Sequence, residues 1–132
     1  MIERIQDILP GCHMMQGYGM PEATCLVTVT HRDDNMFGSV GHVLPGNQVR
    51  LVDADGNLIG EDGGPGELHV RGPCVVPGYI GNETATREMR TPDGWLRTGD
   101  LIEFRKGPNG HKQLFVIDRI KELIKVRVSS KS

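Results

Sequence analysis

Residues 16–23, Gln-Gly-Tyr-Gly-Met-Pro-Glu-Ala, place two glycines, an aromatic ring and a carboxylate within eight positions. Glycine lets backbone N–H groups come close to a ligand, so the stretch invites a phosphate-binding reading. It lacks the Gly-Lys-Ser/Thr of a Walker loop and the third glycine of a dinucleotide fingerprint, and taken alone it reads as a turn. The run Asp53-Ala54-Asp55-Gly56-Asn57 begins like a calcium loop. Leu58 stands where that loop needs glycine, and no glutamate follows at its twelfth position, so a hairpin turn is expected instead. Cys12, Cys25 and Cys74 are far apart with no Cys-x-x-Cys pair, and His13, His31, His42, His69 and His111 show no metal-ligand spacing. Reduced thiols of an intracellular protein are therefore expected, not a zinc site or a disulfide framework.

Composition narrows the classes further. The 132 residues carry 15 basic and 17 acidic side chains, a net charge of −2, which gives no reason to expect nucleic acid as a partner. Hydrophobic residues make up 37% and charged residues 24%, the balance of a folded globular segment. Arg4 and Asp7 interrupt the apolar start, and no apolar run is long enough to cross a bilayer. Ser130-Lys131-Ser132 is similar to a peroxisomal tripeptide but ends on the wrong residue, so a cytoplasmic location is expected. The basic residues near the end, among them Arg119, Lys121 and Lys125, read by themselves as a solvated face.

The elements that must hold these residues are short. Ile2, Ile5 and Leu9 share one helical face, and Pro10-Gly11 stops the pattern. Residues 24–30 (TCLVTVT) read as a strand from their β-branched content, and 48–53 and 67–72 as two more, with tight turns at 54–57 and 61–66. Asn82 suits the cap of a short helix over 83–89. Residues 95–104 and 112–118 read as strands joined by the loop 105–110. The spacing of Ile120, Leu123 and Ile124 is helical, but that segment is short. The strand-rich middle, residues 40–118, suggests a small curled sheet or distorted barrel within a β-rich α+β chain.

The order of the motifs is more telling than any one of them. Gln16-Gly-Tyr-Gly-Met-Pro-Glu22, the GELHVRG…GY run at 66–79, WLRTGD at 95–100 and DRIKELIK at 118–125 resemble successive signatures of the adenylate-forming (AMP-binding) enzyme superfamily. The wording of the first and last resembles acyl-CoA synthetases and 4-coumarate-CoA ligases. The likeness runs from about Leu9 to Lys125.

That resemblance implies a fold, a reaction and a set of residues. The fold would be an internal fragment of the large N-terminal domain of such an enzyme. Residues 1–39 would end its α/β nucleotide-binding part, 40–117 would form a β-barrel-like subdomain, and 118–132 a hinge region. The reaction would join a small-molecule carboxylic acid to ATP as an acyl-adenylate, then transfer the acyl group to a thiol, commonly coenzyme A. Gln16, Gly17, Tyr18 and Gly19 would wall the adenine, with Tyr18 offering a stacking face. Glu22 matches a magnesium-associated glutamate, Asp100 the acceptor for both ribose hydroxyls, and Arg119 an arginine reaching the ribose. Asp118 to Lys121 resemble the hinge of a small C-terminal domain, and Lys125 a lysine of the thioester-forming step.

Three departures accompany the likeness. Pro21 stands where the family places a threonine whose hydroxyl contacts the α-phosphate. The Ser/Thr/Gly-rich phosphate loop and the adenylation lysine of the family are absent from these 132 residues. The expectation is therefore a ligase fragment inactive on its own, against the alternatives of a non-catalytic AMP/ATP-binding module or an inactive truncated remnant.

Overall fold

The structure is a computed structural model that describes residues 2–34, 36–60 and 62–120. The chain opens with helix α1 (Ile2–Ile8), which ends at Pro10-Gly11 as its sequence predicts. Ile8 and Leu9 remain exposed on it. Strand β1 (Gly17–Tyr18) leads into a single 3-10 turn (Pro21–Ala23), followed by β2 (Thr28–Val29) and β3 (His42–Val43). Then come β4 (Gln48–Val52), β5 (Leu58–Ile59), β6 (Gly66–Arg71), helix α2 (Glu83–Glu88), β7 (Leu96–Lys106) and β8 (Lys112–Arg119).

All the pairings are antiparallel and fall into two sheets, β1-β2-β3 and β5-β4-β6-β7-β8. A bridge between Gly41 and Leu114 joins them. The chain is thus β-rich α+β, and its barrel-like part is an open array, since β1 and β5 end the two strand orders without pairing to each other. Leu51, Leu68, Val70, Leu96, Ile102 and Leu114 form the core, with Ala23, Val27 and Met89 packed onto it. Fully burying each such aliphatic side chain contributes about 1.5–3 kcal/mol.

Local chemistry explains the connections. Asp53 Oδ1 accepts hydrogen bonds from the N–H groups of Asp55 and Asn57, both at 2.9 Å, and Gly56 has φ +86. The acidic run is therefore a hairpin turn closed by its own aspartate, as read from the sequence. Asn82 caps α2 by accepting from Ala85 N at 3.0 Å.

The strand expected over 24–30 is a correction. Thr24 (φ 51) and Cys25 (φ 92) are left-handed, because Thr24 ends the 3-10 turn, so pairing begins only at Thr28. Turn chemistry at Pro21–Ala23 overrides the β-branched propensity of the residues after it.

Candidate functional site

A cleft of about 1030 Å³ opens between the β1 loop, the ends of β6 to β8 and helix α2. Two irregularities of pairing aim side chains into it. Between β6 and β7 the register passes from Glu67 opposite Leu101 to His69 opposite Arg97, so residues 98–100 bulge out of β7. Gly99 takes φ +72 at the bulge, and Thr98 Oγ1 donates to Leu68 O at 2.7 Å to hold it. Bulges re-aim side chains, and this one turns Asp100 toward the cleft. A second shift, between Leu101 and Ile102, sets Arg119 directly opposite Asp100 across β7 and β8.

Asp100 is almost fully buried. Tyr18 Oη donates to its Oδ2 at 2.5 Å, across 82 residues of chain, and Arg119 Nε lies 3.6 Å from its Oδ1. A buried carboxylate needs such partners. Its two oxygens offer about four acceptor positions, and one good hydrogen bond with one ion pair leaves capacity for a diol. Burial first, and then the bond to Asp100, push the Tyr18 phenol well above its ordinary 10.0, so it remains a donor throughout the neutral range.

The other residues singled out from the sequence are placed as follows. Gly17, Tyr18, Gly19, Glu22, Asp100 and Arg119 all line the cleft, and Gln16 does not. Gln16 instead exchanges backbone bonds with Thr30, donating to Oγ1 and accepting from the Thr30 N–H, each at 2.8 Å. Gly19 has a packing reason as well: a Cβ there would fall 1.5 Å from the Cys25 carbonyl oxygen. Pro21 opens the 3-10 turn, a place where its missing N–H costs nothing. Asp118 sits on β8 opposite Leu101, and its carboxylate accepts from Arg119 N at 2.7 Å. Lys121 and Lys125, with the rest of the expected hinge region from residue 121 on, lie outside the described residues.

Two cleft residues had no assigned role in the sequence. Glu67 Oε1 accepts from Gly99 N at 3.3 Å and so supports the bulge that carries Asp100. Its other oxygen lies 3.4 Å from Nε2 of the buried His69, whose Nδ1 accepts from Arg50 Nε at 3.3 Å. The bond to His69 is the main cause holding Glu67 below its ordinary 4.5. Alternation along β6 puts Glu67, His69 and Arg71 on one face, which was the signal available. Tyr79 is the second, its hydroxyl donating to Glu22 Oε1 at 2.8 Å. It was legible only as part of a motif.

Among the described residues no cluster of three His, Cys, Asp or Glu side chains is arranged to hold a metal ion. Glu67 and Asp100 are engaged with His69, Tyr18 and Arg119, and Glu22, like Glu88, presents a hard carboxylate at the cleft wall. That fits magnesium, which commonly takes one or two carboxylates and completes its shell with substrate phosphates and water.

The family model for the AMP-binding enzyme matches residues 1–80. The chain belongs to the AMP-binding enzyme family. It is 50% identical over 121 residues to the acyl-CoA ligase lcsD of Purpureocillium lilacinum, covering 92% of this chain and 31% of that protein. ATP-bound MatB from Rhodopseudomonas palustris superposes on 88% of this chain with a TM-score of 0.74 at 30% identity, over 22% of its own length. The O-succinylbenzoate coenzyme A synthetase of Bacillus subtilis, in complex with AMP, covers 83% of this chain and 27% of its own, with a TM-score of 0.69 at 31% identity. The chain thus spans a fifth to a third of the length of these relatives, as the fragment reading expected. No helix among the described residues is long and apolar enough to cross a membrane.

Proposed function

We propose that this chain is the nucleotide-facing part of an ATP-dependent acyl- or aryl-CoA ligase. The observation that carries the reading is the junction of Tyr18, Asp100 and Arg119 at one cleft wall. In this reading Asp100 accepts both ribose hydroxyls, Tyr18 orients Asp100 and lies beside the adenine, and Arg119 reaches the ribose from β8. Gly17 and Gly19 keep the wall close to the base. Glu22 would hold magnesium, which would supply charge neutralisation for the phosphates.

The reaction then follows from positioning. A carboxylate oxygen of the acid attacks the α-phosphorus, the bond to the bridging oxygen breaks, and pyrophosphate carries away the electron pair. In the second half a thiol sulfur, that of coenzyme A, attacks the acyl carbon, AMP departs and the thiol proton is released. This chain's residues contribute the nucleotide's placement, which is worth most when it is fixed beforehand. The segment from Asp118 through Lys121 is assigned as the hinge between the two halves, with Lys125 serving the second.

Replacing Asp100 by Asn tests the reading. A hydrogen bond to a charged group contributes about 1.5–3 kcal/mol, so AMP should bind roughly ten- to hundredfold more weakly by calorimetry. Binding of 2′,3′-dideoxy-AMP, which has no diol, should be indifferent to the change. Equal losses for both ligands, or none for either, would remove the ribose role and the ligase reading with it.

A further inference from the structure

Tyr79 and Glu22 meet at the cleft wall, and the contact is built rather than incidental. Loop 74–79 is tied to the 3-10 turn at three points. Thr24 Oγ1 donates to Cys74 O at 2.5 Å, Val76 N donates to Glu22 O at 2.8 Å, and Tyr79 Oη donates to Glu22 Oε1 at 2.8 Å. The tyrosine backbone is fixed from the other side. Tyr79 N donates to Thr86 Oγ1 at 2.9 Å, and the same hydroxyl donates to Asn82 O at 2.8 Å. Gly78 presses against Thr86 so closely that a Cβ there would fall 2.5 Å from Thr86 Cγ2. Helix α2 therefore sets the height at which the phenol reaches across 57 residues of sequence to the carboxylate.

The chemistry of the donor matters. A lysine or arginine at this place would orient Glu22 but also neutralise it, and a hard cation would then gain little from the carboxylate. A phenol is a neutral donor. It occupies one lone pair of Oε1, fixes the plane of the carboxylate, and leaves the full negative charge and Oε2 to a cation.

We infer that Tyr79 is a positioning residue, which holds Glu22 in the orientation that receives the divalent cation travelling with the nucleotide's phosphates. The inference rests on the nucleotide reading above. Because no three metal-ligating side chains cluster among the described residues, the cation is captured jointly by Glu22 and the phosphates. Tyr79 thus acts on the cation-dependent part of ATP binding and not on the ribose end.

The test is calorimetric titration of the full chain with ATP in excess Mg2+, with ATP in EDTA, and with AMP. Tyr79→Phe should weaken binding in Mg2+ by about three- to tenfold, the range of one hydrogen bond. It should leave ATP in EDTA, AMP and the thermal midpoint unchanged. Glu22→Gln should lose the Mg2+ advantage, and adding Tyr79→Phe to it should cost nothing more, since both act through one carboxylate. Equal loss for AMP, a lowered thermal midpoint as the sole effect, or additive losses in the double variant overturn the inference and leave the nucleotide reading standing. Failure of the unaltered chain to bind either nucleotide overturns both.

Discussion

Asp100 and Arg119 stand directly opposite one another on β7 and β8, yet their environments differ sharply: Asp100 is 7% exposed, while the Arg119 side chain is 74% exposed. An ion pair with one such solvated partner adds little to folding. The buried carboxylate depends instead on Tyr18, whose hydroxyl arrives from the other sheet. The contact between these two residues is what ties the β1 loop to the five-stranded sheet at the cleft.

Removing that hydroxyl has a cost and a pH signature. Tyr18→Phe should destabilise the chain by about 1–3 kcal/mol in urea unfolding, because Asp100 stays buried with fewer donors. Tyr18 has its native phenol raised above the ordinary 10.0, so the unfolded chain ionises first as pH climbs. Stability from this group is complete below pH 10.0 and falls above it, and Tyr18→Phe should abolish that part of the alkaline decline. An unchanged alkaline profile would show that the phenol is not held by Asp100.

Gly19 admits no side chain. A Cβ would lie 1.5 Å from the Cys25 oxygen and 2.6 Å from its carbonyl carbon, and backbone cannot step aside as a flexible side chain can. Gly19→Ala should cost more than about 4 kcal/mol or prevent folding, among the largest single-residue effects. Gly56→Ala, with open space but φ +86, should cost only about 1–2 kcal/mol. Thermal unfolding of the two variants side by side checks the contrast; similar midpoints would refute it.

Glu67 should reveal itself at acid pH. Its native value lies below 4.5, chiefly through His69, so its contribution is present above pH 4.5 and lost as pH falls through the lowered value. The stability gap between the unaltered chain and Glu67→Gln should therefore be widest near neutrality and close on acidification. A gap that persists unchanged to low pH would mean that the Glu67 charge plays no part.

Much of this was legible in one dimension. The caps and turns at Asn82, Asp53 and Pro10-Gly11 are local chemistry, decided by side chains within a few positions of the backbone they bind. The motif residues Tyr18, Glu22, Asp100 and Arg119 could be named from their order along the chain. Tertiary structure decided the rest. Whether 24–30 would pair as a strand depended on the left-handed turn at Thr24 and Cys25. The Gln16 backbone proved to be anchored to Thr30, and Gln16 is not among the residues lining the cleft. The supports of the site, Glu67 for the bulge and Tyr79 for Glu22, join residues 32 and 57 positions apart. Nothing in local propensity encodes such partners: a register shift between β6 and β7 sets Glu67 against Gly99, the docking of loop 74–79 on the 3-10 turn sets Tyr79 against Glu22, and both are settled only when the whole chain packs its core.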